Sequence, residues 1–259
     1  MISVIIKAGS DKGRSRKENQ DHFGYYIPKG SKADTKGILM TVADGMGGQM
    51  GGKTASDIAV KVLLSEYYKD PGGIQDSLES SFIRANQEVL DKSTDDLRGM
   101  GTTLTTVVLK SNEMYFAHVG DSRGYLIRDN EIQQFTEDHS YVQSLVNAGV
   151  ITKDEARTHP ERNKITRAIG INDNLRVDLS ASPRILEDGD YVLLCSDGLH
   201  GVVPEDEILN TFMTFKEPDL ICRKLIEMAN DRGGPDNITV LIASIDCKPG
   251  ILDRFLELF

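Results

Sequence analysis

The sequence predicts an α+β fold, two β-sheets packed face to face with helices outside. Three observations carry this. Four strand-like runs, LTTVVL (104–109), MYFAHV (114–119), GYLIR (124–128) and EIQQF (131–135), follow one another through tight links. Links this short permit only antiparallel pairing, since a parallel crossover needs a dozen or more residues. Helical periodicity, by contrast, is confined to two or three groups. The chain of 259 residues, 39% hydrophobic and 27% charged, has ordinary globular composition and can bury roughly three-quarters of its unfolded surface.

Taken in order, SVIIKA (3–8), HFGYYI (22–27) and ILMTVA (38–43) read as strands rich in β-branched and aromatic residues. The strand at 38–43 is expected to end at Ala43, with Asp44-Gly45 as a turn. Ala55, Ile58, Ala59, Val62 and Leu63 then fall on one helical face. Leu78, Phe82, Ala85 and Val89 do the same beyond the turn at Asp70-Pro71-Gly72-Gly73. Together they predict a helical hairpin over 53–94. After the four strands, 139–174 reads as two short polar helices and a polar link, suited to a flap beside a site. LRVDLSA (175–181), YVLLCS (191–196) and ITVLIASI (238–245) resume the strands, with a helix marked by Ile221, Leu225, Met228 and Ala229 between the last two. The tail ILDRFLELF reads as a terminal helix.

Composition excludes some functions. A net charge of −10 argues against general nucleic-acid binding, which needs a basic face. No apolar run approaches the ~20 residues that span a bilayer, and the N-terminus lacks a signal peptide's basic start. Cys195, Cys222 and Cys247 are odd in number, without a C-x-x-C pattern, and indicate a reducing, cytoplasmic compartment. None has an arginine six residues later, the spacing of a cysteine-nucleophile phosphatase.

Residues 47–54 spell G-x-x-x-x-G-K-T, the formal pattern of a phosphate loop. Its confirming context is a parallel, doubly wound sheet. The four strands without crossovers do not supply it, and Asp44 would repel phosphate. Gly45, Gly47, Gly48, Gly51 and Gly52 are therefore read as positions for positive φ or close backbone approach, and Lys53 as a solvent-facing residue at a helix start.

The isolated aspartates are more informative. Asp44, Asp121 and Asp197 follow apolar strands; Asp21 and Asp236 precede them. In antiparallel sheets the end of one strand lies beside the start of the next, so all five are expected at one edge. Any one alone is an ordinary turn residue. Crowded together they would repel unless cations neutralised them, and an all-oxygen ligand set suits Mg²⁺ or Mn²⁺ rather than zinc.

The blocks RKENQDHF (16–23), VADGMGG (42–48), MGTTLTTVVL (100–109), HVGDSRGYLIR (118–128), NKITRAIG (163–170), LLCSDGLHGVV (193–203) and PDNITVLI (235–242) resemble, in order, the motifs of metal-dependent Ser/Thr protein phosphatases of the type 2C family, bacterial branch. The resemblance spans about residues 8–245. It implies a four-layer α-β-β-α sandwich of two antiparallel sheets flanked by helices. It implies one phosphatase domain over 1–246, a flap at about 139–174 and a tail at 247–259. It implies two Mn²⁺ or Mg²⁺ ions, with Asp44 bridging, the Gly45 carbonyl on one ion and Asp197 and Asp236 on the other. Asp21 would hold metal-bound water, with Glu18 nearby, and Asp121 a third ion. Arg16 would grip the substrate phosphate, and Arg16 and Asp44 carry the catalysis. A hydroxide between the metals would attack phosphorus in one step.

Some members of that family carry a His where this chain has Met46, which has no proton to give the leaving group. Ser196 and Asn237 are read as orienting the ligands, and His22 and His118 as strand residues. Ser122 and Arg123 are read as fixing a turn. The implied partners are phosphorylated proteins, a Ser/Thr kinase and its substrates, with the chain a monomer and neither nucleic acid nor membrane involved. The competing functions are a phosphoprotein-binding regulator of little activity and a phosphate-loop NTPase.

Overall fold

A computed structural model describes residues 2–94 and 97–247. Strand β1 (Ile2–Asp11) leads to β2 (Asp21–Tyr26), the short α1 (Ser31–Lys36) and β3 (Ile38–Met46). Helices α2 (Gly48–Tyr67) and α3 (Ile74–Lys92) form the expected hairpin, beginning five residues earlier than periodicity indicated. Then come β4 (Gly101–Thr102), β5 (Leu104–Lys110), β6 (Glu113–Val119), β7 (Arg123–Arg128) and β8 (Glu131–Gln134). Helices α4 (Tyr141–Asn147) and α5 (Lys153–Thr158) lie in the flap segment. The rest is β9 (Asp178–Leu179), β10 (Arg184–Ile185), β11 (Tyr191–Cys195), α6 (Asp197–His200), α7 (Glu205–Thr214), α8 (Pro218–Asp231) and β12 (Ile238–Cys247). The expected tail helix at 251–259 and the side chain of Cys247 lie outside the described residues.

All the pairings are antiparallel. One sheet runs β1-β12-β11-β7-β8; the other runs β10-β6-β5-β3-β2, with β4 on β3 and β9 on β6. Strand alternation sorts the side chains into layers. Met40, Val42 and Val107 face Val192, Leu194, Leu241 and Ala243 between the sheets. Their neighbours Leu39, Ala43 and Val108 face Phe82, Val89 and other residues of α2 and α3. Leu193, Val240 and Ile242 face Phe212, Ile221 and Leu225 of α7 and α8. The result is helix, sheet, sheet, helix. Among the described residues no helix is long and apolar enough to cross a membrane.

Four local expectations are corrected. The link at 120–122 does not close a hairpin: β6 and β7 lie in different sheets, so a short link here crosses the sandwich. Gly120 makes the corner possible, with φ 116° and space taken by Thr103 where a Cβ would sit. The strand at 38–43 continues through Asp44 and Gly45 to Met46, because β2 pairs with Asp44 and β4 with Gly45 and Met46. Of the five glycines at 45–52 only Gly47 has positive φ and Gly48, Gly51 and Gly52 are helical, whereas the expected close backbone approach holds at Gly45 and Gly52, where a Cβ on either would meet the other's carbonyl. The strand at 175–181 shrinks to Asp178–Leu179, pairing only with Ala117 and His118. Helices α1, α6 and α7 were not foreseen. The first two are too short for a period to show; α7 does carry one in Ile208, Thr211 and Phe212, which the sequence reading passed over.

Candidate active site

The acids collect at one edge of the sandwich. Asp21 and Asp44 are direct cross-strand partners in β2 and β3. Asp197 opens α6 just after β11, and Asp236 precedes β12, the strand paired with β11. Asp121 sits in the link between sheets. The two sheets are joined here by Asp21, whose Oδ2 accepts from Ser196 Oγ at 2.6 Å and Thr239 Oγ1 at 2.7 Å. Ser196 thus steadies a carboxylate, as the sequence suggested.

The electrostatics are unfavourable for anions. Burial, then repulsion from Asp21, Asp197, Asp121 and Asp236, raises the Asp44 pKa well above the carboxylate range. Burial raises Asp21 to about 7, against its hydrogen bonds from Ser196 and Thr239. Burial and then Asp236 raise Asp197 to about 6, while a hydrogen bond with Asp44 acts the other way. Burial and then Asp197 raise Asp121. One oxygen, Oδ1, of each of Asp21, Asp121 and Asp197 is buried and accepts no hydrogen bond. Buried carboxylate oxygens without donors are costly.

Asp236 is arranged differently. Both its oxygens accept from Arg16, Nε at 2.7 Å and Nη2 at 2.6 Å. Arg16 acts on the cluster from the Asp236 side, as Arg123 does on Asp121. The Arg16 pKa is raised, first by the hydrogen bond to Asp236 and also by the charges of Asp236, Asp197 and Asp44. Among the described residues no three His, Cys, Asp or Glu side chains already close on one point as a finished cage. The site is four mutually repelling acids, Asp21 and Asp121 buried and Asp44 and Asp197 half-buried, beside a fifth held by arginine.

The backbone beside the acids is packed too closely for any side chain. A Cβ on Gly52 would stand 2.6 Å from the Gly45 carbonyl oxygen, and one on Gly45 would meet Gly52 O at 2.1 Å. A Cβ on Gly198, beside Asp197, would meet Asn237 O at 1.9 Å. Asp44 is fixed through its main chain: its N–H donates to Thr103 Oγ1 at 2.8 Å, and its carbonyl accepts from Thr102 Oγ1 at 2.9 Å and Thr103 N at 2.9 Å.

The phosphate-loop pattern does not form a loop. Gly48–Gly52 is the first turn of α2, and the exposed Lys53, in the second turn rather than at the helix start, meets Glu18 at 3.0 Å. Glu18 is thereby turned to Lys53. His22 is half-buried, 3.7 Å from Asp57, and His118 is buried between Thr105 Oγ1 and the Glu137 carbonyl. Arg123 does more than fix a turn: it grips Asp138 with Nε and Nη2.

Two histidines that sequence reasoning passed over hold the Asp121 link. His200 Nε2 donates to the Asp121 carbonyl at 3.0 Å; burial and then Arg123 lower its pKa to about 3, so it is neutral. His139 accepts at Nδ1 from Gly120 N at 2.9 Å and meets Asp178 through Nε2 at 3.1 Å. Neither stands at a strand end, the only signal used for the acids. Cys195 and Cys222 are buried, and burial pushes both thiols up to about 12. They are poor nucleophiles.

A family model described as protein phosphatase 2C matches residues 6–145. The serine/threonine phosphatase stp of Listeria monocytogenes is 38% identical over 92% of this chain and 94% of its own. The crystal structure of the Mycobacterium tuberculosis serine/threonine phosphatase PstP/Ppp superposes with a TM-score of 0.84 at 36% identity, covering 95% of this chain and 100% of that one. The catalytic domain of PstP in complex with two manganese ions superposes with a TM-score of 0.82 at 35% identity, again over 95% and 100%. By its motifs, its four layers and these likenesses, the chain belongs to the protein phosphatase 2C family of serine/threonine phosphatases.

Proposed function

We infer that this chain hydrolyses phosphoserine and phosphothreonine in proteins with two hard divalent cations, Mn²⁺ or Mg²⁺, and so reverses the work of a Ser/Thr kinase. The carrying observation is the set of buried, donor-free Oδ1 atoms on Asp21, Asp121 and Asp197 beside Asp44. Hard oxygen ligands in that number suit these ions. Asp44 would touch both ions, the Gly45 carbonyl one of them, and Asp197 and Asp236 the other. Asp21 would act through water and Asp121 would take a third. Bound there, the ions would activate water and neutralise phosphoryl oxygens.

The chain's own residues do the rest. Arg16 keeps its planar fork at the edge of the acids, its side chain 56% exposed. A phosphate dianion competes with Asp236 for that fork, since bidentate geometry suits both anions. Ser196 and Thr239 hold Asp21 in place. Met46 donates no proton, so leaving-group protonation falls to water. We place the enzyme in the cytoplasm as a monomer; the free thiols of Cys195 and Cys222 fit a reducing compartment.

The test is hydrolysis of p-nitrophenyl phosphate and a phosphothreonine peptide with Mn²⁺, with EDTA, and after Asp44→Asn. Turnover that needs the ion and disappears in the variant is expected. Turnover untouched by EDTA and by Asp44→Asn would remove the reading, and ATP hydrolysis dependent on Lys53 would replace it with an NTPase.

A further inference from the structure

The loop joining β1 to β2 carries charge opposite to the molecule's. The chain's net charge is −10, yet residues 12–17 read KGRSRK, with four cations and no acid. The acids on either side are engaged. Asp11 Oδ1 accepts from Gly13 N at 2.8 Å and Asn230 Nδ2 at 3.1 Å, and Glu18 meets Lys53. Arg16 is taken by Asp236. Lys12, Arg14 and Lys17 remain, all exposed, and none has an ion pair among the described residues.

These cations sit on a fixed rim. Asn237 Nδ2 donates to the carbonyls of Lys12 and Glu18, both at 2.9 Å, and its Oδ1 accepts from Gln20 N at 2.8 Å. Arg14 N and Ser15 N both donate to Gly234 O, at 2.8 and 3.2 Å. Gly13 has φ 76°, and a Cβ there would stand 2.1 Å from Asp236 O. The loop is therefore pinned along 234–237, the segment that carries Asp236. Arg16, next to last in the run, faces the acids.

We propose that this loop selects substrates with acidic side chains next to the phosphoresidue, Lys12, Arg14 and Lys17 meeting those carboxylates while Arg16 meets the phosphate. This rests on the phosphatase reading above. The negative field of the whole molecule would favour basic peptides, but salt screens charges beyond about 8 Å at physiological ionic strength. The nearest charges then decide, and on this rim they are positive.

The experiment measures kcat/KM of the full chain with Mn²⁺ on four phosphothreonine peptides. Their flanks carry glutamates, alanines, lysines or a second phosphothreonine. The glutamate peptide is expected to exceed the lysine peptide by about tenfold, with the ratio shrinking as salt rises. That ratio should fall towards one in the triple variant Lys12→Glu/Arg14→Glu/Lys17→Glu and lie between in the milder Lys12→Gln/Arg14→Gln/Lys17→Gln. A wild-type ratio of one or below, or a ratio unmoved in both variants, overturns the proposal. So does a gain confined to the doubly phosphorylated peptide, which would make the rim a phosphate reader. Hydrolysis of no peptide at all strikes the phosphatase reading itself, and the proposal falls with it.

Discussion

Buried and half-buried carboxylates in this protein come in two kinds. Asp138 and Asp190 are each met by an arginine: Arg123 grips Asp138 with Nε and Nη2, and Arg128 grips Asp190 through Nε at 2.8 Å and Nη2 at 2.5 Å. Burial alone would raise the Asp138 pKa, but the charge and hydrogen bonds of Arg123 outweigh it and leave it lowered. At the sandwich edge Asp21, Asp44, Asp121 and Asp197 share one another's company instead, and all four are raised. Residue type is the same; the partner differs. A fold that buries acids without cations of its own retains an electrostatic cost that divalent ions can remove. That difference separates acids compensated within the fold from acids left for an outside cation to compensate.

The contrast is sharpest in substitutions that remove one charge from each group. Asp44→Asn is expected to lower kcat/KM by about a thousandfold or more, as loss of a centre that neutralises the transition state does. The same change should raise the Tm of EDTA-treated protein by about 2–4 °C, roughly 1 kcal/mol for a chain this size, since it deletes a half-buried charge among like charges. Calorimetry with and without EDTA reads both; a lower Tm would break the comparison. Asp190→Asn should do the reverse. It leaves Arg128 with Glu187 and the Ile185 carbonyl as partners and should cost about 1–2 kcal/mol, read as a fall in denaturant midpoint, because the buried position 190 loses its charge-assisted hydrogen bonds from that guanidinium. Phosphatase activity per folded molecule should change little.

Acidity tests the same division. A carboxyl raised in the folded state binds protons more tightly folded than unfolded. Asp21 at about 7 and Asp197 at about 6 therefore stabilise EDTA-treated protein at low pH. That contribution is lost as pH rises from the unfolded value near 4 towards about 7. Asp138, lowered, contributes the opposite way, and its stabilisation is lost as pH falls below about 4. Denaturation midpoints from pH 4 to 8 should decline with pH in EDTA and much less with Mn²⁺; a rise in EDTA would contradict the uncompensated cluster. The smallest effect belongs to the phosphate-loop lookalike. Lys53 makes a partly exposed ion pair with Glu18, and such pairs contribute between 0 and about 1 kcal/mol. Lys53→Ala should leave kcat within about twofold; a large loss would show that α2 touches substrate.

Much of this was legible beforehand, and the failures have a common cause. Strand periodicity found β5 to β8 to within a residue or so, since alternating burial is written along the chain. It missed that β6 and β7 belong to different sheets, because a link length does not say which side of a corner the chain leaves on. The five acids stood out by position after or before apolar runs. The arginine-paired acids did not: nothing beside Asp138 or Asp190 in sequence announces Arg123 or Arg128, which reach them from 15 and 62 residues away. His139 and His200 were invisible for the same reason, being useful only through the Asp121 link they reach in space.

Local order alone determined the alternation of strand and helix, the glycines against Asp44 and Asp197, and the block pattern of the family. These follow from backbone sterics and side-chain period, which act over a few residues. The meeting of the two sheets decided which carboxylates would be compensated and which would share an edge. Charge compensation in a low-dielectric interior depends on distance in space, and that distance is set by packing.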